Sequence, residues 1–321
     1  MMKIRFFHIL PLAAAALTLP ARACALPDST SPAQGRWAVY DVAPGVVRVW
    51  YEPSGVFERE PSVAIPENVG RPVAAKDCGA GSSEYDAGGL RVRVDETSAT
   101  FSVVRSGDGS VVVPPTKIEL GASGKWSMTG PLTPEERIYG LGEDNRSGGR
   151  LDRRGTVRDL WAGQQISSGN VTAQYPIPLS ISMDASLRAG GVFLDNVWHT
   201  RYDLGSTQPD VLRVDVDGGE IDLYVLAGPT LRDVVNQYTG LTGRPSLPPL
   251  WVLGYWQSRC FYHNWEEVEG VASTLRARGF PLDAMVIDSD WPEVRNDFVW
   301  EKRWFKGGTP AEHIAGLNKE G

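Results

Sequence analysis

Residues 244–249 read Arg244-Pro245-Ser246-Leu247-Pro248-Pro249, with three prolines in five positions. Proline fixes φ, lacks an amide hydrogen and pushes its predecessor out of the helical region. Neither a helix interior nor a central strand tolerates such a run. The chain is therefore expected to fold as two parts joined by a stiff linker over 244–249. Its 321 residues suit two parts, since a domain commonly takes ~150 residues.

Upstream of the linker, from Trp37 to about Val225, the hydrophobic period is two. Val46-Val47-Arg48-Val49-Trp50-Tyr51 has β-branched and aromatic residues on both faces, which predicts a strand covered on both sides. Leu90-Arg91-Val92-Arg93-Val94 alternates strictly, so one face is buried and the other wet. Thr100–Arg105 and Ser110–Val113 flank Ser106-Gly107-Asp108-Gly109, a hairpin signal, and Leu212–Val216 and Glu220–Val225 flank Asp217-Gly218-Gly219, a second one. Many short strands with glycine-rich turns predict a β-sandwich. A helix should close this part: Pro229 fits its first turn, Leu231, Val234, Val235 and Tyr238 fall at helical spacing, and the stretch Gly240–Gly243 ends it. The sandwich domain is expected to span 37–243.

Downstream the grammar changes. Leu250–Trp256 reads as an apolar strand, and Asn264 caps a helix with Glu267 as its box partner. Val268, Val271, Ala272 and Leu275 line one face of that helix, and Gly279 stops it. Leu282–Ile287 is a second apolar strand, and Thr309-Pro310 with Glu312 opens a second helix that points Ile314 and Leu317 inward, with Gly321 at its C-cap. Strand, helix, strand, helix is the grammar of a parallel sheet. A closed (β/α)₈ barrel needs eight such units and ~250 residues. The expectation for 250–321 is thus the first two βα units of a barrel, as the front portion of a longer protein.

The N-terminus has the order of an export signal. Lys3 and Arg5 precede an apolar run from Phe6 to Leu19, and Ala21-Arg22-Ala23-Cys24-Ala25 supplies small residues for cleavage after Ala23 or Ala25. Residues 26–36 form a polar leader. Cys24 raises the alternative of a lipid-anchored cysteine, which Ala21-Arg22-Ala23 matches poorly. Export permits a disulfide between Cys78 and Cys260, although two buried thiols are the preferred reading. A net charge of −7 disfavours nucleic acid, which needs a basic surface. Four scattered histidines and no HExxH pattern disfavour a zinc site, so neither metal nor cofactor is expected. The apolar run is too short to span a bilayer comfortably.

Six of the 11 tryptophans lie after residue 249, more than so short a segment needs for packing alone. Trp251 and Trp265 are assigned to packing. Trp256, Trp291 and Trp300 lie near predicted strand ends, where aromatic rings suit the C–H faces of sugars as well as core contacts. Asp288-Ser289-Asp290-Trp291 follows the second strand, and period two puts Asp288 and Asp290 on one side of the extended backbone. Carboxylates at C-terminal strand ends bind sugar hydroxyls, hold a metal, transfer protons or simply cap a loop. Among Asp283, Glu293, Asp297 and Glu301, most are expected to be solvated. Tyr139-Gly140-Leu141-Gly142-Glu143 lacks the third glycine of a dinucleotide fingerprint.

Seven segments occur in one order: Tyr139–Glu143, Tyr175–Pro178, Gly191–Asn196, Tyr238–Pro245, Leu247–Trp251, Gly254–Arg259 and Pro281–Asp283 through Asp288–Trp291. Together they resemble glycoside hydrolase family 31, the α-glucosidase and α-xylosidase family, from roughly Trp37 to the end of the chain. The resemblance implies a mutarotase-like β-sandwich packed on a (β/α)₈ barrel, and retaining hydrolysis of α-glycosides by two aspartates. Such chemistry sets its carboxyls ~5 Å apart. By the resemblance both lie on later barrel strands, so this chain holds no catalytic residue. The position matching Asp288 binds hydroxyls of the terminal sugar, and Asp290 and Trp291 shape the same pocket. Arg259 and Trp256, ending the first strand, and Trp300 are further substrate contacts to test. The sandwich loop that reaches the family's site falls near Trp161–Gln165, and Gln164-Gln165 stand where an Asp is often found. The expected partner is an oligosaccharide or α-glycoside. A saccharide-binding sandwich without catalysis is the alternative, and a metal-dependent enzyme using Asp288 and Asp290 a third.

Overall fold

The computed structural model describes residues 36–58, 61–67, 69–143, 151–161, 175–289, 291–294 and 297–320. The export signal with Cys24, nearly all of the leader, Gln164-Gln165, Asp290 and Gly321 lie outside the described residues. The chain divides into two compact units, 1–243 and 244–321.

The strands of the first unit are β1 (Trp37–Ala43), β2 (Val46–Tyr51), β3 (Arg71–Pro72), β4 (Lys76–Gly79), β5 (Ser82–Ala87), β6 (Leu90–Asp95), β7 (Thr100–Arg105) and β8 (Val111–Leu120). They continue as β9 (Trp126–Pro131), β10 (Arg137–Gly140), β11 (Val157–Leu160), β12 (Leu179–Met183), β13 (Ala189–Leu194), β14 (Thr200–Leu204), β15 (Val211–Val216) and β16 (Ile221–Leu226). One sheet has the order β10-β12-β13-β16-β2-β1-β3 and the other β11-β14-β15-β9-β8-β7-β6-β5-β4. Their inner faces share a core that includes Trp37, Val49, Val92, Phe101, Val214 and Leu223. Leu90, Val92 and Val94 face this core while Arg91 and Arg93 point outward to Glu84, as the alternation requires.

The outer face of the first sheet is covered as well. Helix α1 (Leu231–Thr242) places Val234 and Leu241 against Val46, Phe193, Tyr224 and Leu226. This second core explains why every residue of β2 is buried. On the same outer face Arg48 forms a bidentate pair with Asp222, both contacts 2.7 Å, beneath the rings of Trp50 and Tyr40.

Four expectations change here. The Asp217-Gly218-Gly219 turn does not close a hairpin: β15 and β16 pair in different sheets, so it is a corner between them. Its shape is set from outside, because Asn196 Nδ2 donates to the carbonyls of Gly218 and Glu220. Second, β8 continues to Leu120 through Pro114-Pro115, where the register with β7 shifts; a bulge absorbs the prolines, which cannot donate to the ladder. Third, Pro229 precedes the cap of α1, which is Thr230 in a reciprocal box with Asp233, and Val235 is 48% exposed. Fourth, Cys260 is an exposed free thiol, so no pair with Cys78 forms and the reading of two buried thiols fails. Cys78 itself is half-buried and disulfide-bonded.

In the second unit β17 (Trp256–Phe261) and β18 (Ala284–Ser289) pair in parallel, joined by helix α2 (Trp265–Ala277) and followed by α3 (Pro310–Lys319). Both strands start later than the apolar runs suggest. Leu250–Leu253 form a 3₁₀ turn directly after the prolines, and pairing begins at Trp256 because its partner strand begins at Ala284. Asn264 caps α2, but Glu267 reaches past it to the amide of His263, so the box is not reciprocal. The α3 box of Thr309 and Glu312 is complete. Val268 and Ala272 are buried. The inward positions Ile314 and Leu317 line an apolar cavity of about 660 Å³ with Trp265, Val268, Met285 and Ile287, and Ile314 stays 43% exposed. Among the described residues, no helix is long and apolar enough to cross a membrane.

Candidate functional site at the end of the parallel pair

Register fixes which residues share an end of the two-stranded sheet. Trp256 pairs with Ala284 and Phe261 with Ser289. The C-terminal end therefore holds Cys260, Phe261, Asp288 and Ser289. Asp288 is the fifth of six residues in β18, is exposed, and has Ser289 Oγ at 3.5 Å. An exposed carboxylate at that end keeps its acceptor positions available for hydroxyl donors.

Trp291 follows directly and is held in place by its neighbours. The segment folds back through a bridge between Pro292 and Trp300, and Glu301 donates its amide to the carbonyl of Trp291 at 2.8 Å. The rings of Trp291 and Trp300 lie 5.0 Å apart. Trp300 in turn contacts Trp265 at 5.1 Å and Phe305 at 5.4 Å. Trp265, the first residue of α2, is buried and stacks on His313 of α3 at 4.6 Å with nearly parallel planes. His313 Nδ1 is 2.6 Å from Glu269. This aromatic chain gives Trp300 a framework role and leaves Trp291 as the ring it props beside the strand end.

Glu301, expected to be solvated, is instead buried and hydrogen-bonded three times to Arg303. Those bonds from the side chain and amide of Arg303 hold its carboxyl down to about 2. Glu301 thus closes the loop that carries Trp291. Asp283 is structural too: it accepts the amide of Tyr255 at 3.1 Å, and a Cβ on Gly254 would collide with its carboxylate.

Two sequence candidates sit elsewhere. Trp256 opens β17 instead of ending it, stacks on the half-exposed Trp251 at 5.6 Å and donates Nε1 to the carbonyl of Val252. It is thus at the opposite end of the strand pair from Asp288, and Trp251 is a surface ring, not a core one. Arg259 lies within β17, and its guanidinium is bonded to Glu267 and sits 4.6 Å over the Tyr262 ring. That pairing raises the Arg259 pKa and lowers that of Glu267. Arg259 braces the start of α2. The strand boundary displaced Trp256, while Arg259 pairs with Ile287, next to Asp288: an apolar run marks where a strand is possible, and only the partner's register marks where it begins.

The first unit gathers several of the segments noted in the sequence around Trp198, which the sequence did not single out. Trp161 and Trp198, 42% and 52% exposed, line one cavity of about 520 Å³ together with Pro176, Ile177, Asp195 and Tyr238. His199 lies between Asp217 at 3.1 Å and Asp159 at 3.3 Å, with the Trp161 ring 5.7 Å away, edge to face. The segments around Tyr175, Gly191 and Tyr238 meet here, a convergence that their spacing in the chain conceals.

Comparison with known proteins agrees with this architecture. The N-terminal galactose mutarotase-like domain of glycosyl hydrolase 31 matches residues 37–203, and the glycosyl hydrolases family 31 TIM-barrel domain matches residues 245–321. Alpha-glucosidase 2 of Bacillus thermoamyloliquefaciens is 36% identical over 173 residues, which is 53% of this chain and 21% of that protein. Alpha-xylosidase XylQ of Lactiplantibacillus pentosus is 32% identical over 168 residues, 52% of this chain and 21% of its own length. The family 31 dextranase of Flavobacterium johnsoniae, solved with isomaltotriose, superposes with a TM-score of 0.72 at 26% identity, covering 87% of this chain and 34% of that one. The chain thus spans about a fifth of the length of these curated relatives. With its sandwich and its first barrel strands both matched, the chain belongs to glycoside hydrolase family 31.

Proposed function

We propose that this chain is the sandwich and the opening of the barrel of an exported, retaining α-glycosidase that acts on oligosaccharides. The observation that carries the reading is Asp288, an exposed carboxylate at the C-terminal end of a parallel pair, with Trp291 three residues on and its ring held against Trp300. A sugar ring meets such a site in two ways. Its hydroxyls donate to the carboxylate in charge-assisted bonds, and its C–H face rests on the indole. Asp288 positions the terminal sugar; the nucleophile and the acid/base are supplied by the remainder of the family's barrel. Relatives named α-glucosidase, α-xylosidase and dextranase support an α-linked substrate.

The test exchanges residues 245–321 into the matching segment of the Bacillus α-glucosidase 2. The folded chimera should hydrolyse p-nitrophenyl α-glucoside. Asp288→Asn in it should lower kcat/KM by about tenfold to a hundredfold, the worth of a hydrogen bond to a charged group. Unchanged kcat/KM in Asp288→Asn would remove Asp288 from the site, and a folded but inactive chimera would count against the α-glycosidase reading. Turnover by the 321-residue chain itself, abolished by Asp290→Asn, would place the chemistry here instead.

A further inference from the structure

The sandwich carries an aromatic cleft that its own packing does not explain. Trp198 lies between β13 and β14, on a segment pinned at several points. Its amide donates to Asn196 Oδ1 at 2.7 Å, and its carbonyl accepts from Thr200 Oγ1 at 3.0 Å. Its indole lies over the corner Gly218-Gly219, where an added Cβ would come within 2.9 Å and 2.6 Å of the ring. Any side chain at those glycines would lift the ring. One face of Trp198 is thus seated on bare backbone, yet the residue is 52% exposed. A large apolar ring fixed in place and left open to solvent is a platform: binding on it costs little side-chain ordering.

The other walls supply complementary chemistry. Trp161, anchored edge-on against His199, presents a second exposed indole in the same cavity of about 520 Å³. Asp195 adds a carboxylate whose position is set by Ser62, with Oγ to Oδ1 at 2.7 Å, while Ser62 Oγ itself accepts the amides of Ala64 and Ile65. The volume falls within the ~300–1,000 Å³ range of small-molecule sites. Two aromatic faces disfavour an inorganic anion, and the cavity is larger than a compact organic cation needs. They suit a neutral ligand with flat C–H faces and outward hydroxyls.

We propose that this cleft is a saccharide-binding site of the sandwich, with Trp198 and Trp161 as stacking platforms and Asp195 as hydroxyl acceptor. The choice of an α-glucan oligosaccharide rests on the glycosidase reading above; the site itself rests on the cleft. The 321-residue chain is titrated calorimetrically with maltotriose and isomaltotriose, as wild type and as Trp198→Ala, Trp161→Ala and Asp288→Asn. Trp198→Ala should weaken binding by at least about tenfold, as expected on removing a central aromatic anchor. Trp161→Ala should weaken it too. Melting curves check that each variant is folded, and Trp161→Ala carries the test if Trp198→Ala is not. Saccharide binding unchanged in the folded tryptophan variants overturns the proposal, as does no saccharide heat from the folded wild type. Choline binding that Trp198→Ala abolishes, without saccharide binding, overturns it in favour of a cation site. Loss of all binding in Asp288→Asn alone overturns the proposal and leaves the glycosidase reading standing.

Discussion

Strand β2 of the sandwich is buried at all six positions, whereas β17 of the second unit is half-buried at one and exposed at five. Both are six-residue strands rich in apolar and aromatic residues. The difference lies in their neighbours. β2 has a strand on each side, the second sheet beneath it and the cover of α1 and the 62–69 segment above. β17 has β18 alone. Local order is equally good in both units: Thr230 with Asp233 and Thr309 with Glu312 form the same reciprocal cap. Capping reads out a few adjacent residues, and burial reads out the whole fold. Among the described residues, β2 is covered on both faces and β17 is not.

That contrast can be broken most severely in the sandwich. Asp222→Ala would leave the Arg48 guanidinium, 4% exposed, without its carboxylate. Unfolding in urea should show a loss of about 3–5 kcal/mol, the cost of an uncompensated buried charge. A loss below about 1 kcal/mol would mean that the outer face of β2 is wetter than its packing indicates. The two caps sharpen the comparison at smaller scale. Thr230→Ala and Thr309→Ala should each destabilise their own helix by about 1 kcal/mol. In denaturation followed by circular dichroism, Thr230→Ala should move the sandwich transition and Thr309→Ala should not. A shared shift would show that the units unfold as one.

The smallest effect concerns pH. The carboxyl of Glu301 is held down to about 2 by Arg303, against an ordinary value of 4.5. A depressed folded value contributes stability that is present above pH 4.5 and lost as pH falls towards 2. The Trp291–Trp300 loop should therefore loosen across that window, seen as a change in tryptophan fluorescence that Glu301→Gln removes. The same profile in Glu301→Gln would assign the transition to other carboxylates.

Most of the sandwich was legible because antiparallel strands with alternating faces carry their pattern in adjacent residues: Leu90–Val94 and the hairpin at Ser106–Gly109 needed no distant information. The Asp217-Gly218-Gly219 corner was not legible, because its strands are drawn to different sheets by partners far away in sequence, β9 and β2. The same holds for the site. Asp288 falls at a strand end, as the apolar run that precedes it predicts, because that signal is carried by adjacent residues. Trp256 was placed at the wrong end of its strand because a parallel register is fixed only by the partner strand, whereas Arg259 pairs with Ile287, next to Asp288. Trp198 was missed because its platform is made by Gly218 and Gly219, which belong to a different turn of the chain.

The central claim is that one chain holds a self-sufficient sandwich and a strand pair that carries Asp288 in the open. Amide hydrogen exchange on the 321-residue chain tests it most directly, since protection reports local opening. Amides of β2 and β16 should exchange only through global unfolding, while those of β17 and β18 should exchange orders of magnitude faster. Equal protection of β2 and β17 would contradict the account.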